Sequence, residues 1–151
     1  MEQTRTSEIY HFRNSIVWTS ERRGILSADQ HPKLEVGSPP EFRGTPDVWC
    51  PEDLLIGALN TCLMLTFLAV AKARKIEVAG YESEAEGTVE RRDGKLRVTQ
   101  IKVHPRVKLK SESDFHAAQE AMKRTKEVCV ITNSILATVD LAPEIQGPAN
   151  A

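Results

Sequence analysis

The run from Pro51 to Lys75, PEDLLIGALNTCLMLTFLAVAKARK, constrains this chain more than any other stretch. Pro51-Glu52-Asp53 suits the first turn of a helix, where proline is tolerated and carboxylates meet the positive end of the macrodipole. Lys72, Arg74 and Lys75 supply the charges that a helix C-terminus favours. Between these ends almost every side chain is apolar, on all faces rather than along one stripe. A helix of that kind is surrounded by protein or by lipid. Leu54 to Ala71 is barely long enough to cross a hydrocarbon core of about 30 Å. Gly57, Asn60, Thr61 and Thr66 interrupt it, and the rest of the chain has the composition of a soluble protein. The sequence therefore predicts a long buried central helix, covered by sheet and by a partner subunit, and no membrane.

A chain of 151 residues suggests a single domain with a real core. Its net charge of −1 gives no electrostatic case for nucleic acid. The polar opening MEQTRTSEIY has no apolar run of a secretory leader, which predicts a cytoplasmic protein. In a reducing compartment, Cys50, Cys62 and Cys129 do not suggest a disulfide framework. No two of them have zinc-site spacing and the histidines are scattered, so neither a metal nor another cofactor is expected.

Before the central helix, Ile16-Val17-Trp18, Ile25-Leu26 and the alternating Leu34 and Val36 predict a β-hairpin or meander, with its first turn over 19–24. Ser38 to Asp47, punctuated by Pro and Gly, reads as a loop. After the helix, Val78 to Glu90 alternates between Tyr81, Ser83, Ala85, Gly87 and Val89 on one face and an acidic face of Glu82, Glu84, Glu86 and Glu90. Asp93-Gly94 is a hairpin turn, and the return strand runs from Leu96 to Leu109. Its apolar positions switch parity, which places a bulge near Thr99-Gln100. Phe115, Ala118, Met122, Thr125 and Cys129 then form one helical stripe, with Ser111 and Asp114 as a capping box. Thr132-Asn133-Ser134 can cap a short further helix, Val139 to Leu141 can add a small strand, and residues 143–151 have nothing to bury. The fold class is α+β: an N-terminal β-meander, the long central helix, a β-hairpin and a second helix.

Cys62 lies in the middle of the apolar helix and Cys129 at the inner end of the second stripe. Apolar surroundings disfavour a thiolate, so a reactive Cys62 needs a cation from elsewhere in the fold. Arg22, Arg23 and Arg43 are the candidates. In the alternative reading, both cysteines are packing residues in a non-catalytic domain whose apolar pocket binds a small hydrophobic ligand.

Pro39-Pro40-Glu41-Phe42 with Gly44, Trp49-Cys50-Pro51-Glu52-Asp53-Leu54-Leu55 and Ala58-Leu59-Asn60-Thr61-Cys62 together resemble the OsmC/Ohr family of thiol-dependent peroxidases. Glu52 and Cys62 keep the family's glutamate-to-cysteine spacing. Cys129-Val130-Ile131-Thr132-Asn133 resembles the context of the family's second cysteine, except that Val130 stands where the family has proline. The resemblance covers about residues 9–141 and implies the OsmC-like fold. It implies Cys62 as the peroxidatic nucleophile attacking an organic hydroperoxide, and Cys129 as the residue resolving the sulfenic acid through a disulfide. It further implies a dithiol reductant, in the Ohr branch a dihydrolipoyl protein, and Glu52 with an arginine holding thiolate and peroxide. Arg22-Arg23-Gly24 resembles the family's Arg-(Asp)-Gly turn, which points to Arg22 rather than Arg23. Leu63, Met64 and Phe67 would favour an alkyl peroxide, and Cys50 receives no role. Helix geometry adds a constraint: Glu52 lies about 15 Å along the axis from Cys62 if the helix between them is continuous. Either the helix starts late or the glutamate comes from another subunit. An intertwined homodimer with antiparallel central helices and composite active sites is therefore expected, as the resemblance also implies.

Overall fold

The computed structural model describes residues 7–149, which divide into two compact units, one up to Pro51 and the other from Glu52 onward. The first unit is the expected meander. Strands β1 (Ser15–Ser20), β2 (Arg23–Ser27) and β3 (Leu34–Gly37) form one antiparallel sheet in that order. Its first turn is shorter than predicted, because Thr19, Ser20, Arg23 and Gly24 all belong to strands. The loop after β3 holds a single 3-10 turn, Pro40–Phe42. It then doubles back closely: Gly44 N–H donates to Pro39 O (2.9 Å), and Thr45 N–H to Ser38 O (3.2 Å). A Cβ on Gly44 would fall 1.6 Å from Ser38 O, so only glycine fits there.

Helix α1 (Pro51–Ala73) lies in the second unit from Glu52 onward and is continuous from its first turn. Lys75 follows in the left-handed conformation (φ 59°), and Ile76 N–H donates back to Ala71 O (2.9 Å). That closing geometry satisfies the last carbonyls and turns buried Ile76 into the core. By length and composition α1 could cross a membrane. Within this chain its burial is confined to one stripe, Leu59, Leu63, Phe67 and Ala71, while Leu55, Leu65 and Leu68 stand 36–57% exposed.

Strands β4 (Val78–Arg92) and β5 (Lys95–Leu109) form the long hairpin. Its tip is Asp93-Gly94, both with positive φ as a type I′ turn requires. Thr88 pairs with Gln100 and Val89 with Val98, so Thr99 is the extra residue of the expected bulge. Beyond the bulge the pleat changes face, and Val89 is 38% exposed rather than inward. Gly87 lets α1 approach the sheet, since a Cβ there would lie 2.4 Å from Ile56 Cδ1.

Helix α2 (Phe115–Val128) departs from the sequence reading at its start. Ser111 caps a separate 3-10 turn, Glu112–Asp114, by accepting from Ser113 N–H, and Asp114 gives α2 no side-chain cap. The capping box is thus not formed. Ala118, Met122, Thr125 and Cys129 are buried as the stripe predicted, but Phe115 is 42% exposed because the helix begins only there. Residues 132–134 are themselves a 3-10 turn rather than the cap of a further helix. Strand β6 (Thr138–Leu141) pairs in parallel with the middle of β5, Gln100 to Val103. The tail also differs from expectation. Glu144–Gln146 is a strand, β7, parallel to the second half of β5, and Ile145 packs against the core.

Two buried clusters hold this unit together. One joins Phe67 and Ala71 of α1 to Val107 and Leu109 of β5 and Ala118, Ala121 and Met122 of α2. The other joins Leu59 and Leu63 to Ile101, Val103, Val139 and Cys129. Cys62 lies at the edge of this second cluster.

Candidate active site

Cys62 comes to the site from the fourth turn of α1, one residue before buried Leu63, so its side chain lies beside the packed stripe rather than in it. Cys129 is the first residue after α2. Its N–H closes the helix on Thr125 O (2.9 Å), and its own backbone is extended (φ −64°, ψ 118°). Sixty-seven residues separate the two cysteines, yet the sulfurs lie 2.9 Å apart with Cys129 Sγ donating to Cys62 Sγ. Both are free thiols, and the gap is within about 1 Å of a disulfide bond length.

The two sulfurs are not equivalent. Burial pushes the Cys62 thiol up, but hydrogen bonds from Cys129, the Ile131 backbone, Thr66 and the Val130 backbone outweigh it, and the net direction is down. Burial raises the Cys129 thiol, and the neighbouring Cys62 sulfur raises it further. The pair is therefore polarised, with Cys62 inclined to be the thiolate and Cys129 to keep its proton. Thr66 Oγ1 is 3.8 Å from Cys62 Sγ, and Thr132 N–H donates to Cys129 Sγ at 3.5 Å. Sequence reasoning missed both threonines. Thr66 was findable, four residues on from Cys62 on the same helical face.

The other expected site residues are not brought to the sulfurs within unit two. Because α1 starts at Pro51, Glu52 is separated from Cys62 by ten residues of unbroken helix, about 15 Å. A late helix start is thereby excluded. Glu52 Oε2 and Asn60 Oδ1, both on α1, are buried without a hydrogen-bond partner. Leu63 and Phe67, expected beside a substrate, are 0% exposed and occupied by the core; only Met64 of that trio is partly open.

In the first unit the three arginines have different surroundings. Arg23 grips Asp47 through both nitrogens (2.9 and 3.2 Å), with Glu35 at 3.5 Å and Thr45 Oγ1 at 3.3 Å. The Arg23 guanidinium, helped by Thr45, holds the Asp47 carboxyl down at about 2. Arg22 instead donates from Nη1 to the Phe42 carbonyl (3.0 Å). Arg43 sits in the left-handed conformation (φ 63°) after the Pro40–Phe42 turn. All three, with Ser38 and Gly44, line one cavity of about 270 Å³. Cys50 is buried at 6% exposure. Among the described residues, no three His, Cys, Asp or Glu side chains stand together as metal ligands.

Comparison with known proteins gives these features a family. The model of OsmC-like proteins matches residues 44–144, well over half of the chain. The chain belongs to the OsmC-like family. An uncharacterised Bacillus subtilis protein, YmaD, is 26% identical over 139 residues, covering 89% of this chain and 93% of that one. Solved structures share the fold. An OsmC-like protein of unknown function from Vibrio cholerae superposes with a TM-score of 0.82 at 22% identity, over 89% of this chain and 99% of that one. An organic hydroperoxide resistance protein from Elizabethkingia anophelis superposes with a TM-score of 0.74 at 17% identity, over 95% of this chain and 100% of that one. The OsmC-like signature thus spans both units, since the family match begins in the loop before α1.

Proposed function

We propose that this OsmC-like chain is a cysteine-based peroxidase that reduces organic hydroperoxides in oxidative-stress defence. The observation that carries this reading is the polarised thiol pair, with sulfurs 2.9 Å apart, Cys62 held toward the anion and Cys129 holding its proton. The family membership and the structural likeness to an organic hydroperoxide resistance protein support it.

The Cys62 thiolate attacks the terminal peroxide oxygen. The S–O bond forms as the O–O bond breaks, and the alkoxide takes a proton and leaves as the alcohol. Cys62 is now a sulfenic acid. Cys129 gives up its proton and attacks the Cys62 sulfur, so the S–S bond forms and the hydroxyl departs as water. A dithiol, of which a dihydrolipoyl protein is one form, returns both cysteines to thiols by exchange and itself becomes a disulfide. Arg22 is the arginine we assign to the peroxide and thiolate, since Arg23 is committed to Asp47. Glu52 joins the site from the second chain of a homodimer, which accounts for its buried, unpartnered oxygen and its distance from the nearer Cys62.

Hydroperoxide treatment followed by thiol mapping tests the reading. A Cys62–Cys129 disulfide and consumption of an alkyl hydroperoxide with a dithiol are expected, and Cys62→Ser should abolish that consumption. Two unmodified thiols would overturn the peroxidase in favour of a ligand-binding domain, and a Cys62→Ser variant as active as the wild type would overturn Cys62 as the nucleophile.

A further inference from the structure

The segment after Cys129 is built in a way that the family resemblance does not account for. The carbonyls of three successive residues are all engaged on the downstream side. Cys129 O accepts from Asn133 N–H (3.1 Å), Val130 O from the Ser134 hydroxyl (2.6 Å) and Ile131 O from Ser134 N–H (3.0 Å). Asn133 Nδ2 also reaches back to Glu127 O at 3.0 Å and ties the turn to the end of α2. In a trans peptide, the N–H of the next residue points opposite to each carbonyl. Fixing the carbonyls of 129, 130 and 131 downstream therefore turns the N–H groups of 130, 131 and 132 back toward the sulfurs. Thr132 N–H reaches Cys129 Sγ at 3.5 Å, that sulfur lies 2.9 Å from Cys62 Sγ, and the Ile131 and Val130 backbones help to hold the Cys62 thiol down. Successive amides of this kind form an anion-binding concavity.

We propose that the amides of Val130 and Ile131 form a cradle for the Cys62 thiolate, and that Val130 is a positioning residue because it keeps an N–H that proline lacks. The Val130 side chain is not what matters, since it is 69% exposed. The chain thus supplies, from its own resolving turn, part of the charge stabilisation that an apolar helix denies to Cys62. Resolution uses the same turn: the amides that hold the nucleophile are attached to the sulfur that later attacks it.

The geometry also provides a clean test. Cys129 has the extended backbone that a residue before proline prefers, so Val130→Pro deletes one N–H without opening the core. The proposal rests on Cys62 being the reactive thiol, but iodoacetamide labelling reads that thiol without any peroxide. A failure here is therefore distinguishable from a failure of the peroxidase reading. In Val130→Pro, the pH profile of Cys62 labelling, followed by mass spectrometry, should move to higher pH. The rate at neutral pH should fall roughly threefold or more, as expected for loss of a hydrogen bond to an anion. Val130→Ala, which keeps the N–H, should match the wild type. Equal profiles for all three proteins, or the same shift in both variants, would overturn the proposal. If Val130→Pro fails to fold, the wild-type chain still decides. The amide proton resonances of Val130 and Ile131 should move as Cys62 titrates, and resonances that stay fixed would overturn the cradle.

Discussion

In the proposed cycle Cys129 has two roles that need opposite protonation states. As a thiol it donates to Cys62 across 2.9 Å, and as a thiolate it must attack the same atom. The directions of the two shifts order these events. Cys62, lowered, keeps its anion as pH falls below the usual thiol range and loses it only through its lower value. Cys129, raised, keeps its proton until pH rises past that range. Between the two values the pair is one anion sharing one proton, and a sulfenic acid at Cys62 would end that arrangement by removing the charge that holds the proton in place. Cys129→Ala separates the roles. Labelling of Cys62 should shift to higher pH, because a donor is gone. Hydroperoxide should still oxidise Cys62 to a sulfenic acid that a dimedone-type probe traps, with no intramolecular disulfide. An unchanged labelling profile would mean that the neighbouring thiol does not hold the anion. The arginines show why one residue type needs the fold. Arg22 and Arg23 are adjacent in sequence, and only the loop bringing Asp47 to Arg23 tells them apart.

At the scale of elements, the chain was legible wherever a pattern repeats. The meander, the central helix, the Asp93-Gly94 hairpin and the second helix all carry period-2 or 3.6 spacing or a strong turn signal, and each is present. Even the bulge could be read, because inserting Thr99 reverses the parity of everything after it. Illegible were features set by a single partner. Phe115 fits the stripe by spacing, but it is the first residue of α2 and stands 42% exposed. Strand β7 has three residues, too few to show a period, and exists because β5 is long enough to pair with it beyond β6. The site divides the same way. Cys62 and Cys129 were singled out by their positions on helical faces and given their roles by the resemblance, whereas the proposed amides of 130 and 131 have no residue-type signature. Their one trace in the sequence was valine where the family has proline.

At the scale of the whole molecule, α1 asks for something that one chain lacks. It exposes Leu55, Leu65 and Leu68, and it buries Glu52 Oε2 and Asn60 Oδ1 without partners. Buried polar atoms left unpaired are costly, and an exposed apolar helix face is a docking surface. The proposed two-fold homodimer through α1 would answer both, and it would carry each Glu52 toward the other chain's Cys62. Mixing Cys62→Ser with Glu52→Ala chains by co-refolding should then restore peroxidase activity, since one composite site in each heterodimer is intact. No recovery, or a fully active monomer at micromolar concentration, would refute the shared site. The 67-residue separation of the two cysteines has a consequence of its own. Both strands of the hairpin and all of α2 lie between them. Joining the sulfurs would turn that length into a covalent ring and restrict the unfolded chain by about 4 kcal/mol in the loop-entropy picture. The oxidised protein should melt on the order of 10 °C above the reduced one, and equal melting temperatures would contradict it. Each catalytic cycle would then pass through a toughened form, hardest to unravel while it waits for electrons.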